Sequence, residues 1–176
     1  MKVLVLTGPE SSGKSWLANE LQQRFGGIVV GEYVRHFIDS QQRDTRYADI
    51  SAIARGQLTW EDAAREKRPH LLILDTHLLS NILWSHELFG DCPAWMEQAL
   101  LERDYHLHVL LDPRGVEWVS DGQRCQPELA QRIIFHQACA AWLAAHEQRV
   151  VNIAGSWSER QSEVIGRIKD WLAAGE

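Results

Sequence analysis

The chain lacks the marks of several large classes of protein. Its three cysteines, Cys92, Cys125 and Cys139, are scattered and form no C-x-x-C pair. An odd, dispersed set argues against a disulfide framework or a zinc site and fits reduced thiols in a cytoplasmic protein. Basic charge is in deficit: 18 lysines and arginines face 24 aspartates and glutamates, a net charge of −6, so no basic field advertises nucleic-acid binding. No apolar run approaches a bilayer-spanning length, and no signal peptide precedes the first apolar stretch, so a membrane partner is not expected. Repeats, low-complexity tracts and linkers are missing as well. One domain over all 176 residues is the expectation. A homo-oligomer is compatible with this composition. The histidines keep no metal-ligand spacing; His106 and His108 alternate in an apolar run and are expected on one face of a sheet. Hydrophobic residues, by contrast, make up 45%, enough for a full core, and eight tryptophans leave room for an aromatic ligand pocket.

The most informative segment is Gly8-Pro9-Glu10-Ser11-Ser12-Gly13-Lys14-Ser15. It matches the phosphate-loop pattern G-x-x-x-x-G-K-S/T at every fixed position. An apolar run, Lys2 to Thr7, precedes it, and Trp16 to Phe25 follows with helical periodicity. Gly8 and Gly13 permit backbone angles that a Cβ opposes, so successive N–H groups can turn inward and cradle phosphate oxygens at the positive end of a helix. Lys14 is placed to reach the β/γ-phosphates of ATP, and the Ser15 hydroxyl to ligate Mg²⁺. The loop together with Trp16 is the expected nucleotide-binding segment. A chance match in a chain of this size is about a one-in-a-hundred event.

Apolar runs and amphipathic stretches then alternate. Strands are expected over 2–7, 28–30, 71–74, 106–111 and 149–153, and helices over 14–25, 33–40, 47–67, 78–88, 93–103, 129–146 and 158–173. Alternation of this kind predicts an α/β fold, a five-stranded parallel sheet flanked by helices. Ligands in such sheets bind beyond the carboxyl ends of the strands.

Those ends carry the candidate chemistry. Strand three ends in Asp75, a carboxylate able to hold Mg²⁺ opposite Ser15 or to meet substrate. Strand two ends in Glu32-Tyr33-Val34-Arg35: Glu32 is a candidate base or anchor for an acceptor hydroxyl, and Arg35 a clamp, with a surface ion pair between them as the plain alternative. The polar segment after strand four, about 113–131, has the composition of a mobile lid. Arg124 within it and Arg132 beyond are candidates to converge on a phosphate chain, the alternative being a solvated cluster. Gly155 and Ser156, after strand five, are expected beside an adenine, with Arg160 stacking on it. His77 lies where substrate is expected. Tyr33, Trp84 and Trp118 suit a flat cationic ring, or simple packing.

Together, Gly8–Ser15, Glu32-Tyr33-Val34-Arg35, Ala54-Arg55-Gly56-Gln57, Asp75-Thr76, Trp84 and Trp118 through Arg124 resemble the ribosylnicotinamide kinase domain of bacterial NadR-type proteins. The resemblance runs across nearly the whole chain. It implies a P-loop nucleoside-kinase-like fold and ATP-dependent phosphorylation of the 5'-hydroxyl of nicotinamide riboside, giving nicotinamide mononucleotide. Two departures stand out. His77 replaces a second acid of the family pattern, and no H-x-G-H nucleotidyltransferase signature occurs, so the resemblance implies a stand-alone kinase. Another nucleoside, a vitamin alcohol such as thiamine, or a regulatory ATPase acting on a protein are the competing readings.

Overall fold

The computed structural model describes residues 1–174. Five strands form one parallel sheet: β1 (Lys2–Thr7), β2 (Ile28–Val30), β3 (Leu71–Asp75), β4 (Leu107–Leu111) and β5 (Val150–Ile153), in the order β2-β3-β1-β4-β5. The helices are α1 (Lys14–Phe25), α2 (Tyr33–Gln41), α3 (Ile50–Glu66), α4 (Leu78–Phe89), α5 (Trp95–Leu101), α6 (Leu129–Ala145) and α7 (Trp157–Ala173). This is the five-stranded parallel α/β sheet flanked by helices that the alternating pattern implied.

Period-two alternation assigns the two faces of the sheet. Leu4 and Leu6 of β1, with Leu107, Val109 and Leu111 of β4, pack under α1 and α7. Val3 and Val5 face the other way, toward Ala64 of α3. On that second side α3, α4, α5 and α6 share a core built on Ile50, Leu78, Met96 and Phe135. The three central strands are covered on both faces, which is why they read as unbroken apolar runs. The chain moves from β1 to β2 on one side and to β4 on the other. The crevice beside the carboxyl end of β1 is therefore the topological switch point.

Most boundaries fall within a residue of expectation, and three departures have a visible cause. The segment 47–67 is not one helix: a 3₁₀ turn, Tyr47–Asp49, precedes α3. There the Asp49 carboxylate accepts the Arg46 N–H at 2.8 Å and the Arg43 guanidinium at 2.7 Å, fixing an irregular entry. Helix α5 is shorter than 93–103, because the Pro93 carbonyl is taken by a preceding turn ending at the Met96 N–H. His106 precedes β4; its ring Nδ1 accepts the Val3 N–H at 3.1 Å, leaving only His108 within the strand.

Candidate active site

The phosphate loop joins β1 to α1 and depends on its glycines. Gly8 has φ +134°, and a Cβ there would lie 2.7 Å from the Leu111 carbonyl oxygen. Gly13 has φ +96°, and the Trp157 indole rests where its Cβ would stand. Ser12 Oγ donates to the Pro9 carbonyl at 2.8 Å, tightening the turn. The Lys14 ammonium lies across the loop, donating to the carbonyls of Gly8 at 3.1 Å and Pro9 at 2.8 Å.

A cavity of about 650 Å³ opens over this loop. The segment from Glu10 to Trp16 lines one end, and Glu32, Arg35 and Trp84 line the other. Arg124 lies against it from the segment after β4. The two ends are thus continuous, and Thr76, just past β3, lines the same cavity, whereas Asp75 before it does not.

Asp75 sits at the end of β3, buried at 5% exposure, and its Oδ1 has no hydrogen-bond partner. Burial, then the Glu32 charge, raises its carboxyl to about 6, against the pull of Lys14, the Ser15 hydroxyl and Arg35. An orphaned carboxylate oxygen beside a serine hydroxyl is a donor set that a hard divalent cation accepts, so Ser15 and Asp75 fit Mg²⁺. The next residue, Thr76, has φ +76°, a sparsely allowed conformation for a β-branched side chain. Its N–H is held by the Leu6 carbonyl at 3.1 Å, and its buried Oγ1 is unpartnered. Strain at such a position persists only where the surrounding fold over-determines it.

Glu32 caps the entry to α2, and its carboxylate meets the Arg35 guanidinium at 3.3 Å. The surface ion pair and the site are therefore the same contact, since both residues line the cavity. Arg35 also donates to Asp121 at 2.7 Å, across from the segment after β4. Gln57 of α3 brackets Glu32: its amide donates to the Gly31 carbonyl at 3.1 Å and accepts the Tyr33 N–H at 2.8 Å.

Several expected residues lie elsewhere. His77 is fully buried; its Nε2 is 3.3 Å from His108 Nε2, and its ring packs edge-on against Tyr105. Burial in this apolar layer, then His108, holds its pKa well below the usual range. It is a neutral core imidazole, not a substrate contact. The Tyr33 ring turns away from the cavity to pack on Gly56, His36 and Trp60. The Trp118 indole N–H is spent on Glu10, at 2.6 Å, and the ring lies outside the cavity lining. Arg160 does not stack on a base: it is fully buried and donates to the carbonyls of Gly155, Ser12, Asp112 and Arg114 at 2.6–3.1 Å. It ties the phosphate loop to the loops after β4 and β5. Ser156 caps α7 through Glu159, and with Gly155 lies outside the lining. Arg132 is buried in the first turns of α6, apart from the cavity lining, with Nε and Nη1 unpartnered, so it does not meet Arg124 there.

Gln57, Thr76, Asn81 and Trp157 line the cavity and were not singled out as site residues from sequence. Gln57 has a signal, since the Ala-Arg-Gly-Gln stretch belongs to the motif set. Thr76 has the same kind of signal, through the Asp-Thr pair of that set; Asn81 and Trp157 have none, being an asparagine and a tryptophan in ordinary positions until the chain is folded.

A family model described as an AAA domain matches residues 3–160. The trifunctional NAD biosynthesis/regulator protein NadR of Salmonella typhimurium is 24% identical over 157 residues, covering 87% of this chain and 38% of NadR. This chain therefore spans well under half the length of that relative. A solved NadR protein in complex with NR superposes with a TM-score of 0.77 at 19% identity, covering 99% of this chain and 52% of that one. A thymidylate kinase from Ehrlichia chaffeensis gives 0.67 at 14% identity, covering 95% and 98%. The likeness to NadR read from the motifs is thus met in both sequence and fold.

Proposed function

The chain belongs to the AAA domain family, and on that premise we propose that it is an ATP-dependent small-molecule kinase. Its acceptor in this reading is the 5'-hydroxyl of nicotinamide riboside, and its product nicotinamide mononucleotide. One observation carries the proposal: a single cavity has a phosphate loop at one end and a carboxylate–arginine pair at the other. A switch ATPase needs the first and has no use for the second. The relative's part in NAD biosynthesis and the NR-bound neighbour support the choice of acceptor. So does the acceptor end itself, where the carboxylates of Glu32 and Asp44 and the rings of Trp84 and Phe89 suit a flat cation. No helix among the described residues is long and apolar enough to cross a membrane, and we place the reaction in the cytoplasm.

In this reading the loop amides and Lys14 hold the donor phosphates, and Lys14 leaves the Gly8 and Pro9 carbonyls to do so. Glu32 takes the proton of the acceptor hydroxyl as its oxygen bonds to the γ-phosphorus and the bond to the ADP oxygen breaks. Arg35 orients Glu32, and Arg124 offsets charge on the transferring oxygens. Ser15 and Asp75 would hold Mg²⁺, which would supply positive charge against the negative charge of the donor phosphates.

The test is a direct assay of nicotinamide riboside, ordinary nucleosides and thiamine at equal concentration with ATP and Mg²⁺. Nicotinamide riboside is expected to be the best acceptor. Lys14→Ala is expected to stay folded and lose transfer by about 3–4 kcal/mol of barrier. Robust phosphorylation of another compound, with nicotinamide riboside inert, keeps the kinase and discards this acceptor. Hydrolysis stimulated by a protein, with no acceptor used, selects the switch.

A further inference from the structure

A carboxylate is a poor choice inside a loop built to hold phosphates, where it repels the ligand it should help to bind. Glu10 is such a carboxylate, and its oxygens are engaged elsewhere. Oε1 accepts the Trp118 indole N–H at 2.6 Å and the Gln126 N–H at 2.7 Å, and Oε2 accepts the Cys125 N–H at 3.1 Å. All three donors belong to the irregular segment after β4, more than a hundred residues away in the chain. The neighbouring Ser11 Oγ accepts the Val119 N–H at 3.2 Å. The far side of the segment is held from the acceptor end: Arg35 donates to Asp121 at 2.7 Å, and Gln123 to Asp39 at 2.7 Å. The segment therefore spans the cavity, and Arg124 is carried between these two anchorages.

We propose that Glu10 is a positioning residue that latches the 118–126 segment over the phosphate loop, keeping Arg124 against the cavity and water out of it. A carboxylate is required because three N–H donors converge on it from two directions. An amide offers one oxygen, and its NH₂ group would face a donor. Charge-assisted hydrogen bonds of this kind are the strong ones, and together they set the cost of opening. The consequence for transfer rests on the kinase reading given above; the latch itself does not.

The experiment is limited trypsin digestion of the full chain, following cleavage after Arg124, alongside the ratio of ATP hydrolysed to acceptor phosphorylated. Glu10→Ala is expected to speed cleavage after Arg124 by about tenfold or more, with Glu10→Gln and Trp118→Phe in between. Hydrolysis per transfer should rise in the same order, and kcat for transfer should fall more than KM for ATP rises. If Glu10→Ala does not fold, Trp118→Phe, altered on the opposite partner, carries the same test. Protection and the hydrolysis ratio both unchanged in the folded variants, with transfer intact in the unaltered chain, overturn the latch and leave the kinase standing. Lost protection in a chain that transfers phosphate to no acceptor supports the latch and removes the kinase reading instead.

Discussion

Asp75 shows what burying a carboxylate at the end of a strand costs. Its carboxyl is raised from 3.8 to about 6 because it is buried and faces Glu32. The folded chain thus keeps this proton to a higher pH than the unfolded chain does. That contribution to stability is fully present below the unfolded value and is lost as pH rises through about 6. Asp75→Asn removes the loss. Without nucleotide, its melting temperature relative to the unaltered chain should climb from about pH 4 to about pH 7. Melting curves across that window check it, and a flat difference contradicts it. The same variant should fail at transfer, since the residue best suited to a cation is gone. Stability exchanged for function in this way is common at active sites. The neutral His77 pair and the fully buried Arg160 are the contrast: polar residues whose partners lie within the protein, where they hold the frame rather than meet a ligand.

At the scale of elements, the Glu32 end of the cavity is set by the packing of α2 on α3. Gly56 is the contact point, because the Tyr33 ring occupies the space a Cβ would need. Tyr33 meets Trp60 edge-on at 4.9 Å, and this cluster anchors the start of α2 just after Glu32. Gly56→Ala is expected to push α2 outward and to destabilise by about 1–3 kcal/mol, the usual cost of overpacking. Because the displaced tyrosine adjoins Glu32, KM for the acceptor should rise while KM for ATP holds. Urea denaturation and the two KM values measure both. Equal changes in the two constants would place the effect in global stability. The segment after β4 obeys a different rule. It has no regular hydrogen bonding of its own, so its place depends on side chains such as Glu10, Arg35 and Asp121.

For the whole molecule, the parallel order β2-β3-β1-β4-β5 puts the ends of the strands along one crevice. In the proposed reading donor and acceptor share it, so ligands at either end should stabilise the native state. A non-hydrolysable ATP analogue with Mg²⁺ at about a hundred times its Kd should raise the melting temperature by about 5–10 °C. Lys14→Ala should abolish most of that shift. An acceptor added together with the analogue should raise it further, as both ligands close the same cavity. A shift in the presence of the analogue that no candidate acceptor increases would count against a second ligand at the Glu32 end.

The sequence by itself determined most of the elements, the parallel sheet and the phosphate loop between β1 and α1. Apolar runs with glycine punctuation place β1, β2 and β3 to within a residue, because local periodicity is what a buried strand requires. The phosphate loop is legible because its function lies in backbone geometry, which fixed glycines encode at fixed spacing. Side-chain direction was decided only by the tertiary structure. Tyr33 and Glu32 are adjacent, yet one turns into the α2–α3 packing and the other into the cavity. His77 follows the site by two residues but packs into the core against His108 and Tyr105. Arg160 has the charge to meet a nucleotide and is taken by four carbonyls from three loops. Glu10 and Trp118 are distant in the chain and touch only because the segment after β4 folds back over the loop. These outcomes depend on which neighbours the fold supplies, and that information lies in contacts between distant segments rather than in any local pattern.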